Sequence, residues 1–281
     1  MGSLRCSACV VSLSVLVVGS GCRRQRAPAP VTKPTAAADL PEYACVRVSA
    51  PPTIDGDLND PAWEAIAWTD ELQLWKGGPS RTRTRAKLGW DDKNLYVVYD
   101  CQDRDLEGTM KKRDENLWEQ NEVVELFADA GDDQQEYLEF EVNPLGTMVD
   151  LIIPYLDRPR TLQGSKNWDS KGWRATTKAN GSIGNPLDVD TGWTCEMAVP
   201  LPDFLDAPNQ PPKPGDVWRI NLYRVDQNGE EVEFQAWSPT LTETAQFHVP
   251  GRFGRLVFAD EAGSTAPPIE GPSPSNAEAP E

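Results

Sequence analysis

The feature that most restricts the fold is a one-for-one alternation of apolar and polar side chains that recurs along residues 84–222. Thr84, Ala86, Leu88 and Trp90 are separated by Arg85, Lys87 and Gly89, and Leu95, Val97, Tyr99 and Cys101 follow an Asp-Asp-Lys-Asn turn. Leu138, Phe140 and Val142 alternate with Tyr137, Glu139 and Glu141; Trp193, Cys195, Met197 and Val199 alternate with Thr194, Glu196 and Ala198. Trp218, Ile220 and Leu222 alternate with Arg219, Asn221 and Tyr223. Successive side chains of a strand point to opposite faces, so each set suits a strand with one face buried. Stretches 45–49, 72–75, 122–128, 147–152, 232–238 and 253–258 are further strand candidates. Turn pairs such as Asp55-Gly56, Asn180-Gly181 and Asn228-Gly229 punctuate them. Helical spacing occurs only at Pro61 to Ala67 and Pro202 to Ala207. Ten or eleven strands with little helix predict an all-β fold, an antiparallel two-sheet β-sandwich of jelly-roll type.

Charge and histidine content then remove whole function classes. The formal charge of −17 opposes binding to a phosphate backbone, so no nucleic-acid partner is expected. One histidine excludes an H-E-x-x-H zinc helix and a three-histidine zinc cage, and a serine triad would have to use His248. Of six cysteines, Cys45, Cys101 and Cys195 fall within the strand-rich region. Three is odd, so at most one pair forms; the strand phase of Cys101 and Cys195 favours plain burial.

The two ends differ from the middle. Arg5 precedes a nine-residue apolar run, Val10 to Val18, too short to span a bilayer as a helix, and Gly19-Ser20-Gly21-Cys22 follows. This resembles the lipobox of bacterial lipoproteins, which implies a signal peptide over 1–21 and lipid on Cys22; an ordinary secretory signal is the alternative. Residues 22–41 are rich in Pro and Ala and read as a tether. Residues 260–281 hold five Pro, five acids and no basic residue, and read as a disordered tail. Residues 42–259 form the expected domain. The expected location is the bacterial cell envelope, on a membrane through the N-terminal lipid, with a secreted or periplasmic protein as the alternative.

Within the domain, the run Ile54-Asp55-Gly56-Asp57-Leu58-Asn59-Asp60-Pro61-Ala62-Trp63 is followed in order by L-G-W-D-D-K-N-L-Y-V-V-Y, N-L-W-E-Q-N-E-V-V-E-L-F-A-D and Y-L-E-F-E-V-N. G-W-T-C-E-M-A-V-P, P-G-D-V-W-R-I-N-L-Y-R and F-H-V-P-G-R-F-G-R-L complete the series. Together they resemble family 9 carbohydrate-binding modules and their DOMON-like relatives. The resemblance implies a non-catalytic domain that holds a glycan or oligosaccharide between two aromatic side chains, with polar side chains reading the hydroxyls. Trp118 matches one aromatic, and Phe247 stands where the family uses Trp. Glu125 and Asn143 match polar positions, and Glu141 stands where the family places Arg. A carboxylate only accepts hydrogen bonds and a guanidinium only donates, so this exchange alters which hydroxyl pattern can be read. His248, beside Phe247, offers one donor and one acceptor to the same wall.

Each of these residues has a plainer reading. Trp118, between Glu115 and Glu119, could cap the sandwich edge. His248 could be structural. Glu139 and Glu141 could form a solvated acidic face, the reading preferred for Glu139. Glu125 interrupts Val123, Val124, Leu126 and Phe127, and a buried carboxylate there needs partners. Asp55, Asp57, Asn59 and Asp60 are not an EF-hand loop, because the sixth and twelfth positions counted from Asp55 are Asp60 and Ile66 rather than Gly and Glu. They read as turns and as a cap for the helix that Pro61 opens. No cofactor is expected; a structural Ca2+ is the one metal the resemblance allows. Three other functions stay open: a glycoside hydrolase using Glu125 and Glu141, a b-type haem domain drawing on Met110, Met148, Met197 and His248, and a structural envelope protein with a vestigial site.

Overall fold

The computed structural model describes residues 40–153, 168–228 and 231–260, all within one compact unit. The leader over 1–21, Cys22, nearly all of the 22–41 tether and the tail beyond Asp260 lie outside the described residues.

The described chain is all-β, with helical turns of three residues only. Its strands are β1 (Glu42–Arg47), β2 (Gln73–Leu74), β3 (Thr84–Trp90), β4 (Asn94–Cys101), β5 (Val123–Asp129) and β6 (Tyr137–Val142). The second half supplies β7 (Met148–Ile153), β8 (Arg174–Asn180), β9 (Gly192–Pro200), β10 (Val217–Asn228), β11 (Glu231–Ala236) and β12 (Gly254–Ala259). Hydrogen bonds link them into one mixed sheet in the order β7-β6-β5-β10-β12-β1-β3-β4-β9-β8, with β11 pairing with both β10 and β2. This corrects the expectation of a purely antiparallel fold: β1 lies between β12 and β3 and is parallel to both. Parallel neighbours need a long connection rather than a hairpin: residues 48–83 separate β1 from β3, and nearly the whole domain separates it from β12.

The path curls around a large interior core. Trp90, Tyr99, Trp193, Met197, Leu126, Phe140 and Trp218 all belong to one buried cluster although they come from both arms of the sheet. Tyr99 Oη, on β4, donates to the Glu125 carbonyl on β5 across that interior. β5 buries every residue, because Val124, Leu126 and Ala128 face the interior while Val123 and Phe127 belong to a second cluster on its other face. That second cluster, with Tyr137, Tyr223, Phe247 and Phe253, is where the candidate site forms.

Local departures from the sequence expectation have local causes. The helical spacing at Pro61 and Pro202 yields only single 3-10 turns, Pro61–Trp63 and Leu201–Asp203. Asp60 caps the first, its side chain accepting from Ala62 N at 2.8 Å, as the turn-and-cap reading expects. β8 was not expected, since R-A-T-T-K-A-N has almost no apolar phase; it is held by pairing with β9. Cys45, Cys101 and Cys195 are all buried and all unpaired. The Asp55-Gly56 turn is anchored by Glu196 of β9, whose carboxylate accepts from Asp55 N, Gly56 N and Trp63 Nε1 at 2.7–2.9 Å. Gly56 has φ +83°, and a Cβ there would lie 3.1 Å from the Lys178 backbone, so the turn needs glycine twice over.

Candidate functional site

A cleft of about 430 Å³ opens on the outer face of β5, β6 and β10. Trp118, Glu125, Phe247 and His248 all line it, together with Phe127 and Glu139. Four of the six residues expected in a binding site are thus brought to one place.

Trp118 sits on the 3-10 turn Leu117–Glu119, whose Leu117 is fully buried in the outer cluster. Leu117 anchors the turn while Trp118 is left 42% exposed at the cleft, a rare state for a residue of that size. Phe247 is held differently: its ring stacks on Tyr223 with centroids 4.1 Å apart and planes 12° from parallel. Tyr223 Oη donates to the Phe247 carbonyl at 2.8 Å, so β10 fixes both the ring and the backbone of that wall. His248 tilts against Phe127 at 5.2 Å and lies 2.7 Å, through Nδ1, from the Tyr137 hydroxyl. Its Nδ1 is also 3.9 Å from Glu139 Oε2.

The floor is acidic. Glu125 on β5 stands directly opposite Glu141 on β6, and Phe127 opposite Glu139. Directly opposed side chains have Cβ atoms about 4.5–5.5 Å apart. All three carboxyl groups are at most 3% exposed, which corrects the solvated-face reading of Glu139. The segment carrying Phe247, His248 and Phe253 packs on this face, with Phe253 edge-on against Tyr137. Glu125 Oε1 is buried without a hydrogen-bond partner. Burial first, and the Glu141 charge second, push the Glu125 carboxyl well above the ordinary carboxylate range.

Glu141 and Asn143 are placed otherwise. Glu141, on β6 opposite Glu125, is buried and is not among the described residues that line the cleft. Asn143 is fully buried and is not among the described residues that line the cleft. Its amide nitrogen donates to Met110 O and Asn121 Oδ1, both at 2.9 Å, and its oxygen accepts from Thr147 N at 2.8 Å. Asn121 Oδ1 in turn accepts from Thr109 N and Met110 N at 3.0 Å. Asn143 therefore holds the loop that carries Trp118, a positioning role. Met197 lies in the interior core and Met148 packs against it, whereas His248 lines the outer cleft.

Sequence reasoning did not single out Phe127, Val225, Phe234 or Gln246, which also line the cleft. The available signal was the run Val123 to Phe127, apolar on both strand faces, which marks a strand covered on both sides.

Two other acid groups each bring three carboxylates close together, as a cation site would. Asp103, Glu122 and Asp226 are buried together, but the Arg224 guanidinium touches all three, at 3.3 Å to Glu122 and 3.7 Å to Asp226. Burial pushes Glu122 up to about 10 against the pull of that guanidinium. Asp114, Asp150 and Asp169 are likewise all met by Arg113. In both groups an arginine stands where Ca2+ would have to be, so neither donor set fits the metal.

Residues 54–261 match the family described as "Carbohydrate family 9 binding domain-like". The exoglucanase XynX of Acetivibrio thermocellus is 28% identical over 160 residues, covering 57% of this chain and 12% of that enzyme. This chain thus spans a small part of that relative's length. A family 9 carbohydrate-binding module from Caldicellulosiruptor kristjanssonii, solved with cellotriose, superposes with a TM-score of 0.53 at 18% identity, covering 82% of this chain and all of that one. The same module solved with glucose gives 0.54 at 19% identity, covering 81% and 100%.

Proposed function

Because the chain belongs to the carbohydrate family 9 binding domain-like family, we propose that it holds a saccharide, without cleaving it, in the cleft lined by Trp118 and Phe247. The observation that carries this reading is the half-exposed Trp118 on a buried anchor, facing an apolar cleft that also contains an unpartnered carboxyl oxygen. An aromatic face stacks on the C–H face of a pyranose at little entropic cost, and a polar group beneath it reads the substituents. The neighbouring folds were solved with cellotriose and glucose, which favours a short saccharide as the ligand.

Binding without catalysis is the better reading of the acids. A glycosidase sets its two carboxyls about 5–10 Å apart across the scissile bond. Glu125 lines the cleft but Glu141, opposite it on the paired strand, is buried and is not among the described lining residues, so the two do not both face a bound sugar. We read the curled sheet as the two facing leaves of a jelly-roll sandwich, a view supported by the Tyr99 to Glu125 bond across the core. The lipoprotein reading of residues 1–22 would place this domain on a bacterial envelope membrane, and Cys22→Ser should then release it from the membrane fraction.

Affinity electrophoresis through gels containing soluble glucans and xylans tests the site. Retardation by at least one polysaccharide, lost in Trp118→Ala with the thermal melt unchanged, is the expected result. Retardation identical in the parent and Trp118→Ala would refute the cleft as the site.

A further inference from the structure

An aromatic row leads out of the same cleft toward the edge of the sheet. Resting on the carbohydrate-binding reading above, we propose that Trp75 is the platform of a further subsite, so that the protein grips an oligosaccharide along several residues of its chain rather than a single sugar.

Sheet register builds the row. Phe234 of β11 pairs with Val225 of β10, and both line the cleft. Gln73 and Leu74 of β2 pair with Ala236 and Gln235, and Trp75 N continues the ladder by donating to the Phe234 carbonyl at 3.1 Å. Side chains at paired positions share a face of the sheet, so Trp75, Phe234 and Val225 fall in one row. The rings meet accordingly. Trp75 lies edge-on to Phe234 with centroids 6.0 Å apart, and Phe234 lies edge-on to Phe247 at 5.9 Å. Two such steps carry an apolar surface from the Phe247 wall of the cleft out to the half-buried Trp75.

The outer end of the row carries a strained, exposed leucine. Leu241 is 58% exposed and holds φ +57°, a left-handed conformation that a leucine keeps only where its surroundings impose it. Its N–H donates to the Trp75 carbonyl at 2.8 Å, and its Cδ2 would be 3.6 Å from a Cβ at Gly77. The same segment continues to Phe247, so one stretch of chain links Trp75 to the cleft wall. Val232, two residues before Phe234 and on the same face, is also exposed.

The row is narrow. Exposed Gln73 and Lys76 border it, the Lys76 ammonium lying 5.3 Å from the centre of the Trp75 ring. A pyranose chain has the matching cross-section, since its C–H faces cover aromatic rings while its hydroxyls reach polar groups at the rim. A protein partner fits less well. A specific interface takes about 800 Å² from each side, more than the partly exposed side chains of Trp75, Val232, Phe234 and Leu241 supply.

The test is calorimetric titration of the whole protein with glucose and the cello-oligosaccharides from disaccharide to hexasaccharide, and with the matching xylose series. In the series it binds, the parent should gain about tenfold in affinity between the disaccharide and the hexasaccharide, the equivalent of one added stacking contact. Trp75→Ala, checked for folding by its melt, should lose that gain and keep its disaccharide affinity within about twofold, whereas Trp75→Tyr should retain most of the gain. Leu241→Gly guards against a folding artefact, because glycine relieves the left-handed backbone. Its melting temperature should hold or rise while hexasaccharide affinity falls about threefold with the lost apolar contact. An affinity that stops rising at the disaccharide overturns the proposal, as does a Trp75→Ala variant that binds the hexasaccharide as tightly as the parent. Equal loss of disaccharide and hexasaccharide in Trp75→Ala would make Trp75 a support for the cleft and also overturn it. If glucose or the disaccharide binds through Trp118 and added length brings nothing, only this inference fails. If no sugar of either series binds, the carbohydrate-binding reading fails with it.

Discussion

Replacing Glu125 by glutamine should make the protein more stable, and more so as the pH rises. Glu125 and Glu141 are directly opposed across β5 and β6, and both are buried. Two carboxylates on directly opposed residues, whose Cβ atoms are about 5 Å apart, repel by on the order of 3 kcal/mol at an effective dielectric near 20. The fold avoids that cost by holding the Glu125 proton, which is why burial and Glu141 raise its carboxyl. A raised acid binds a proton in the folded state that the unfolded chain releases. Its stability contribution is therefore present below about pH 4.3, the ordinary glutamate value, and is lost as pH rises toward the folded-state value. The loss is at most about 1.4 kcal/mol per pH unit. Glutamine mimics the protonated form at every pH and loses nothing. Parent and variant should match near pH 4.5 and differ by about 1–3 kcal/mol at pH 8. For a domain of this size 2 kcal/mol is about 4–8 °C in Tm. Melts of both proteins at half-unit intervals from pH 4.5 to 8 measure the difference. A difference that stays flat with pH, or a variant less stable at pH 8, would refute the reasoning, since either result requires an ionised and well-paired Glu125.

Other substitutions test the scaffold that presents the cleft. Glu196→Ala strips the acceptor from Asp55 N, Gly56 N and Trp63 Nε1 and should cost about 3 kcal/mol or more in denaturant unfolding. Arg224→Met removes the guanidinium that Asp103, Glu122 and Asp226 share and should cost about 3–5 kcal/mol in denaturant unfolding. Cys45, Cys101 and Cys195 are buried, with burial raising each thiol and Cys101 pushed up to about 12. A water-soluble disulfide reagent at pH 8 should leave all three unlabelled until denaturant is added, as peptide mapping would show.

How far the sequence discloses this structure depends on the range of the interaction read. Alternation at Thr84 to Trp90 and Trp193 to Val199 specifies strands because it is a local consequence of burying one face. Polar β8 carries no such signal and exists through its neighbour β9. The parallel pairing of β1 with β12 and β3 joins residues far apart in the chain, and no local pattern encodes it. The site behaves the same way. Trp118, Glu125, Phe247 and His248 could be picked out by type and by family resemblance, and the fold gathers them. Glu139 alternates with core residues like any solvated strand acid, and only the covering segment with Phe253 and His248 decides that it is buried. Asn143 could be named as important but not placed, because its bonds to Met110, Asn121 and Thr147 depend on a loop packed from elsewhere.

The central claim is that this cleft binds a saccharide against Trp118. The most direct measurement is tryptophan fluorescence of the parent and of Trp118→Ala, titrated with glucose, cellotriose and xylo-oligosaccharides. The other nine tryptophans supply a common background, and Trp90, Trp193 and Trp218 among them are buried in the interior core. A saturable change in the parent that is absent from Trp118→Ala, with both proteins folded, is the predicted result. A flat response of the folded parent to every sugar, or an equal response from both proteins, would contradict the account.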